Sequence, residues 1–334
     1  MSGESGEAGH LAGVHNSDAR LREGWGGTVK AKFRRYDPQQ DFLSVRDFLS
    51  ETYQAFGRPL NWRIERWNWA RYHPSMFGDD VERNVRFWED AVGIWENDRN
   101  ESDIVGVVNV ESPRHGEAYF QRRPGYAFLL GEMVDYAEAT LVDRENSVLH
   151  IYVYDYDEPF QALLRERGYH QDAGHPGYDS ELLIEELPDV NLPDGYVVQS
   201  MAQESDVALR CKVQGLGFDH PDPSEWTTVS EYEQVQEAPD YWKDLDLYVK
   251  GPDGEYVSCC IVWYDARNRM GVFEPVCTHA GFRRRGFGRA VVMEGIRRVV
   301  ALGAEKVQVG SGQPFYEAIG FQRRYVSHRW TKTF

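Results

Sequence analysis

The sequence has few cysteines and no long apolar stretch. Its four cysteines, Cys211, Cys259, Cys260 and Cys277, show no Cys-x-x-Cys spacing, which argues against a zinc site or a disulfide framework. No apolar run approaches the roughly 18–20 residues that a membrane-spanning helix needs. The first ten residues also lack the basic start and apolar core of a secretory signal. The composition therefore predicts a cytoplasmic protein without a metal or a membrane partner.

Basic charge is also scarce. The chain has 37 Lys and Arg residues against 54 Asp and Glu residues, and its net charge is −17. A nucleic-acid partner is disfavoured, because a phosphate backbone needs a basic face. The acidity either keeps the protein soluble or suits a cationic substrate, and composition alone leaves both interpretations open.

One local exception to this acidity is a basic turn between a predicted strand and a predicted helix. The strand covers residues 271–278 and the helix residues 290–300, and the turn between them reads Arg-Arg-Arg-Gly-Phe-Gly-Arg from Arg283 to Arg289. Glycines let a backbone come close to a ligand, and the first amides of a helix bind anions. The turn has neither the Walker spacing nor the third glycine of a dinucleotide fingerprint. It predicts a phosphate site of another kind.

A second motif lies downstream. Residues 310–321 include Phe315-Tyr316 and end in Gly320-Phe321, and a helix stop at Gly303 and a predicted strand at 307–309 come before them. The Arg-x-x-Gly-x-Gly turn and this element, in this order, resemble the acyl-coenzyme A loop and the closing helix of the GNAT superfamily of N-acetyltransferases. The resemblance covers about residues 194–334.

The resemblance implies a fold and a cofactor. The expected fold class is α/β, an α+β arrangement with a mixed sheet, in two tandem GNAT-like domains, each a twisted mixed sheet flanked by helices. The expected co-substrate is acetyl-CoA, and no metal is expected. The expected cofactor-binding residues lie on the strand and the turn: Val276, Cys277, Thr278, Arg283, Arg284, Arg285, Gly286, Phe287, Gly288, Arg289 and Ala290.

Two residues are candidates for proton transfer. By resemblance, Tyr316 is the general acid beside the coenzyme A sulfur, although Phe315 and Tyr316 could both be helix packing residues. Glu274 is the candidate base, and the alternative is a surface carboxylate or an ion pair with a nearby arginine. Pro275 cannot donate to a strand ladder, so a bulge is expected beside Glu274.

The chain also predicts a weak internal duplication with a period of about 150 residues. Residues 1–27 are expected to be a disordered tail, 28–190 a degenerate GNAT-like domain and 191–334 the catalytic domain, with a polar linker at 185–195. Alignment by eye places Pro124 and Tyr126 under Gly286 and Gly288, and a tyrosine there would obstruct a pyrophosphate. The first half is therefore predicted to lack its own cofactor site.

The binding site of the acyl acceptor is the part of the function that the sequence predicts least well. Residues 217–247 combine carboxylates with Trp226, Tyr232, Tyr241 and Trp242, which suits either a site for a cationic amine or an amphipathic lid. The aromatic residues between 62 and 72 are expected in a core or at a domain interface. The predicted function is N-acetylation of a small-molecule amine by direct transfer in a ternary complex. A protein or peptide amine, or a non-catalytic acyl-CoA sensor, is the alternative, and a monomer or a homodimer is equally compatible.

Overall fold

The computed structural model describes residues 30–73, 91–97, 103–111, 116–174, 176–184 and 191–334. The predicted tail, residues 1–27, lies outside the described residues, and so do residues 185–190 of the predicted linker. The predicted domain boundary between residues 190 and 191 adjoins that second range and stays a prediction.

The described chain forms a mixed α/β structure, and the predicted fold class is confirmed. The helices are α1 (Phe42–Phe56), α2 (Ile64–Tyr72), α3 (Leu130–Thr140), α4 (Glu158–Glu166), α5 (Val207–Gly217), α6 (Val229–Val235), α7 (Phe287–Ala301) and α8 (Pro314–Ala318). The strands are β1 (Ala31–Arg35), β2 (Gly93–Asn97), β3 (Ile104–Asn109), β4 (Glu117–Arg122), β5 (Val148–Tyr154), β6 (His170–Gln171), β7 (Gly177–Leu183), β8 (Val197–Ser200), β9 (Asp246–Lys250), β10 (Tyr256–Asp265), β11 (Met270–Thr278), β12 (Lys306–Val309) and β13 (Gln322–Thr333).

The strands form one continuous mixed sheet. Its order is β1-β2-β3-β4-β5-β13-β7-β12-β11-β10-β9-β8, and β6 pairs with β13 away from this path. The pairings β4–β5 and β11–β12 are parallel, and their neighbours are antiparallel. The first half thus places β1 to β5 from one edge of the sheet towards its centre. The second half places β8 to β12 in the same way from the other edge.

The centre of the sheet contains a reciprocal strand exchange. β7 comes from the first half of the sequence, yet it pairs with β12 and β13. β13 comes from the second half, and it pairs with β5 from Tyr154 to Val148. Each half therefore supplies a strand to the sheet of the other half, and the exchange brings β5, β7, β12 and β11 around one region.

Helices of the first half also pack on the second half. The Arg46 guanidinium forms an ion pair with Asp240, and Asn68 Nδ2 donates to the same carboxylate at 2.7 Å. Gln308 Nε2 on β12 donates to the Tyr53 hydroxyl at 2.7 Å. These contacts hold α1 and α2 against the second half of the chain, with α1 next to β12.

Candidate active site

The site begins where β11 separates from β12. The two strands pair in parallel only as far as Val272, and the register of β11 against β10 then shifts. Glu274 and Pro275 form the bulge at this shift, as the proline predicts. The indole Nε1 of Trp263 donates to the Glu274 carbonyl at 2.7 Å, which satisfies the bulged backbone. A gap therefore opens beside the second half of β11.

The glycine turn lies at the outer end of this gap. Gly286 has φ of 87° and caps α7, a conformation that glycine adopts without strain. A Cβ added at Gly288 would lie 3.1 Å from Thr278 Oγ1 and 3.3 Å from Phe315 Cζ. The backbone at Gly288 is thus held close to both walls of the gap, and a side chain there would fill it.

Arg283 holds the turn against α5. Its Nη2 donates to the Gly217 carbonyl and to Asp219 Oδ1, both at 2.8 Å, and its Nε donates to the Thr278 carbonyl at 3.1 Å. Because these donors already bond protein atoms, Arg283 fixes the position of the turn rather than offering a free cation.

The other turn residues differ in exposure. The Arg285 guanidinium lies over the rings of Tyr196, Phe282 and Phe287, at 5.7, 5.4 and 5.3 Å from their centroids. Arg284 and Arg289 are exposed at the start of α7, whereas Phe287 and Ala290 are buried in the core. Within the described residues, Arg284 and Arg289 form no hydrogen bond or ion pair, so these two arginines remain available to an anion.

Cys277 faces away from the gap. Its Sγ lies 3.3 Å from Cys259 Sγ, and both thiols are buried. The hydrogen bond with Cys259 and burial raise the pKa of Cys277. A protonated buried thiol is a core side chain, so the side chain of Cys277 does not line the gap, although the residue was predicted among those that bind the cofactor. Val276, by contrast, lines the open side of the strand.

A cavity of about 430 Å³ continues inward from the gap. Glu274, Val276 and Tyr316 line it from the second half of the chain. The opposite wall comes from the first half, from the start of α2 and from β4, β5 and β7. The structure therefore brings both predicted catalytic residues into one cavity between the two halves.

Glu274 lies in an ion-pair network within this cavity. Arg66 Nη1 lies 2.9 Å from Glu274 Oε1 and 2.7 Å from Glu111 Oε1. Burial raises the pKa of Glu274, and the Arg66 charge opposes that rise. A carboxyl group with a raised pKa is better suited to accept a proton near neutral pH.

Tyr316 lies on α8 and is 6% exposed. Its ring packs edge-on against Phe315 and Phe321, with centroids 5.0 and 5.7 Å apart. Burial raises the pKa of Tyr316, so its hydroxyl keeps its proton at neutral pH. No described residue hydrogen-bonds this hydroxyl, which lines the cavity. Its ring packs in the core while its hydroxyl remains available.

The sequence reasoning missed the charged residues of the first half. Arg63 forms ion pairs with Glu65 and Asp179, each at 3.0 Å. The Tyr154 hydroxyl donates to Asp179 at 2.5 Å. The only local pattern was an Arg-x-Glu-Arg run among tryptophans at the start of α2. This pattern does not predict that these residues contact β11.

The acceptor segment predicted at 217–247 is mostly structural. The Tyr232 and Tyr241 hydroxyls donate to Asp246 Oδ2 at 2.6 and 2.7 Å, and Arg210 pairs with the same carboxylate at 2.7 Å. All four side chains are buried. Trp62 and Trp67 lie in the core of the first half, as expected.

The first half has its own version of the turn. Gly125 has φ of 84°, a left-handed glycine that the alignment by eye overlooked, and Tyr126 follows it. β4 pairs with β5 only at Glu117 and Ala118. The next two rings, Tyr119 and Tyr152, stack across the opening with centroids 5.0 Å apart.

Comparison with known proteins agrees with this architecture. Residues 218–321 match the sequence model of the acetyltransferase (GNAT) family. A GCN5-related N-acetyltransferase from Sphaerobacter thermophilus is similar in structure, with a TM-score of 0.59 and 15% identity over 91% of this chain and 95% of that one. A tandem GNAT protein from the clavulanic acid biosynthesis pathway has a TM-score of 0.57 and 12% identity over 91% and 98% of the two chains.

An acetyltransferase of the GNAT family from Colwellia psychrerythraea has a TM-score of 0.54 and 9% identity over 90% and 99% of the two chains. At these identities the three structures establish the fold. The search of curated proteins found no match. Residues 218–321 therefore match a GNAT acetyltransferase domain in sequence, within a chain whose fold is similar to that of solved GNAT proteins.

Two further findings concern metals and membranes. Within the described ranges, no group of three or more His, Cys, Asp or Glu side chains is placed to hold a metal ion. No helix in that same part of the chain is both long and apolar enough to cross a bilayer.

Proposed function

We propose that this protein is an acetyl-CoA-dependent N-acetyltransferase that acts on a small amine by direct transfer in a ternary complex. The observation that carries the proposal is the cavity shared by Glu274 and Tyr316, next to the gap between β11 and β12. A proton acceptor and a proton donor on two separate elements that line one cavity are what amine acylation requires.

The residues around the gap fit coenzyme A. The free edge of β11 at Val276 and Thr278 offers backbone groups to the pantetheine amides. The amides after Gly286 at the start of α7, together with Arg284 and Arg289, suit a pyrophosphate. A Cβ at Gly288 would lie 3.1 Å from Thr278 Oγ1, and this close approach of the backbone favours glycine there.

Acetyl-CoA supplies the activated acetyl thioester. Glu274 accepts the proton that the ammonium loses, either directly or through water, so that the amine nitrogen can form the new C–N bond. Tyr316 gives its proton to the sulfur as the C–S bond breaks, and the second proton that the nitrogen loses on forming the amide restores the Tyr316 hydroxyl, directly or through water. The products are the acetylated amine, free coenzyme A and the proton held by Glu274. Holding both substrates in one cavity supplies much of the remaining rate through proximity.

The size and walls of the cavity favour a small amine over a protein segment. At about 430 Å³ it is within the usual range of small-molecule sites. It lies between two halves of the chain, and residues of both halves line it.

A screen of primary amines and aminoglycosides tests this function. We expect purified protein and acetyl-CoA to release free thiol only when a suitable amine is present, measured with a thiol reagent. Binding of acetyl-CoA without thiol release for any amine would instead favour the sensor interpretation.

We also predict one coenzyme A per chain. In the first half, the stacked Tyr119 and Tyr152 rings span the opening that corresponds to the gap beside β11. In the same half, Arg122 and Asp157 form a buried ion pair at 2.8 Å. Calorimetric titration should therefore give a stoichiometry of one, and two equivalent sites would contradict the degenerate first half.

A further inference from the structure

Glu65 is a fully buried carboxylate on the wall of the cavity that also contains Glu274 and Tyr316. Its Oε1 accepts a hydrogen bond from Arg63 Nε at 3.0 Å. Its Oε2 is buried, and no described residue donates to it. Nearly all buried polar atoms in proteins have a partner, so an orphan acceptor on a residue that lines a cavity indicates a missing donor.

The charges around Glu65 favour a cationic donor. Three carboxylates, of Glu65, Asp179 and Glu274, and two arginines line the cavity. Arg63 is shared between Glu65 and Asp179, and Arg66 between Glu111 and Glu274. Each of the two arginines thus pairs with two carboxylates. If either arginine turned to an anionic ligand, a carboxylate would lose its partner.

The protonation state of Glu65 responds to such a ligand. Burial raises the pKa of Glu65 to about 7, Arg63 opposes the rise and the charge of Glu274 adds to it. Glu274 and Glu65 are therefore close enough to affect one another. A cation bound between them favours the ionised form of both.

The remaining wall suits the body of an organic cation. Besides Tyr316, the cavity is lined by four tyrosines, Tyr119, Tyr152, Tyr154 and Tyr178. Tyrosine rings contact apolar or aromatic groups and attract cations through their faces.

We propose that Glu65 binds the ammonium group of the acyl acceptor through its free oxygen, and that the acceptor is a small primary amine without a carboxylate or phosphate. This inference rests on the acetyltransferase function proposed above. It makes the first half of the chain part of the acceptor site, with Glu65 holding the ammonium beside Glu274 until its proton is removed.

The first test is the isosteric variant Glu65→Gln. Glutamine keeps an acceptor for Arg63 Nε but places an N–H donor where Oε2 was, and a donor repels an ammonium. We expect kcat/KM for tyramine to fall roughly 10- to 100-fold, mainly through KM, as for the loss of a charged hydrogen bond. The affinity for acetyl-CoA, measured by calorimetry, should not change.

The matched control is Glu305→Gln. Glu305 is an exposed carboxylate that pairs with Arg269 at 2.5 Å and lies outside the cavity. This variant loses the same charge and should leave both kcat/KM and acetyl-CoA affinity unchanged.

The second test needs no variant, so it stands even if Glu65→Gln does not fold. Tyramine and L-tyrosine differ only in a carboxylate, and that group would enter a cavity in which no cation is free to pair with it. We expect kcat/KM for tyramine to exceed that for L-tyrosine about 100-fold or more, and cadaverine to exceed L-lysine in the same way.

The outcomes separate the two proposals. Turnover that is equal for amines and amino acids, or unaffected by Glu65→Gln, overturns the assignment of Glu65 and leaves the acetyltransferase function standing. If no amine in the screen is acetylated and none binds to the coenzyme A-loaded protein in calorimetry, both proposals are wrong.

Discussion

Tyr316→Phe should lower turnover roughly 10²–10⁴-fold while the affinity for acetyl-CoA stays nearly constant. The variant removes a hydroxyl that bonds no described residue and keeps the ring that packs against Phe315 and Phe321. The fold should therefore be retained, and the lost rate reports the missing proton donor. Steady-state thiol release with saturating amine measures the effect.

Tyr264→Phe is the control for this variant. Its hydroxyl donates to the Leu302 carbonyl at 2.8 Å, away from the cavity, so its removal should not change kcat. A loss of less than tenfold in Tyr316→Phe would mean that water or a neighbour protonates the sulfur. Tyr316 would then be a packing residue.

Gly288→Tyr should abolish coenzyme A binding. Even a Cβ at this position meets Thr278 and Phe315 at 3.1 and 3.3 Å, and a tyrosine ring would occupy the gap between β11 and α8. The turn is exposed, so the core should fold normally. Calorimetry of the variant should show no heat of acetyl-CoA binding.

Gly131→Tyr provides a matched control, because Gly131 is the second residue of α3 as Gly288 is the second residue of α7. The nearest atom to a Cβ there is Arg167 Nη2 at 3.8 Å, an ordinary van der Waals distance, so a Cβ at Gly131 causes no steric clash. This variant should bind acetyl-CoA like the wild type. Normal binding by Gly288→Tyr would show that the pyrophosphate site lies elsewhere.

Local patterns predicted much of the second half. The strand β11, the bulge at Pro275 and the glycine that caps α7 all follow from residues adjacent in sequence. Helix caps are harder to predict from such patterns when two capping residues are adjacent. Ser205 and Asp206 both precede α5, and the cap is Asp206, whose Oδ1 accepts from the Leu209 amide.

The wall of the cavity that comes from the first half could not be predicted in this way. Glu65 and Arg66 meet β11 only because α2 packs against the second half, and Asp179 only because β7 pairs with β12. Such contacts depend on tertiary pairing over more than a hundred residues, and no periodicity in the sequence encodes them. The glycine in the turn of the first half was missed because the alignment by eye allowed no gap there.

The exchange of β7 and β13 has a consequence for synthesis on the ribosome. β5 pairs with β13, and the bond between His150 and Thr331 joins residues 181 positions apart. Since β13 follows every other described strand in the chain, β5 emerges long before its partner and presents an open edge meanwhile. An independent domain can complete its sheet during translation. The first half cannot, because it needs β13, so we expect its sheet to be completed only after the second half has been synthesised.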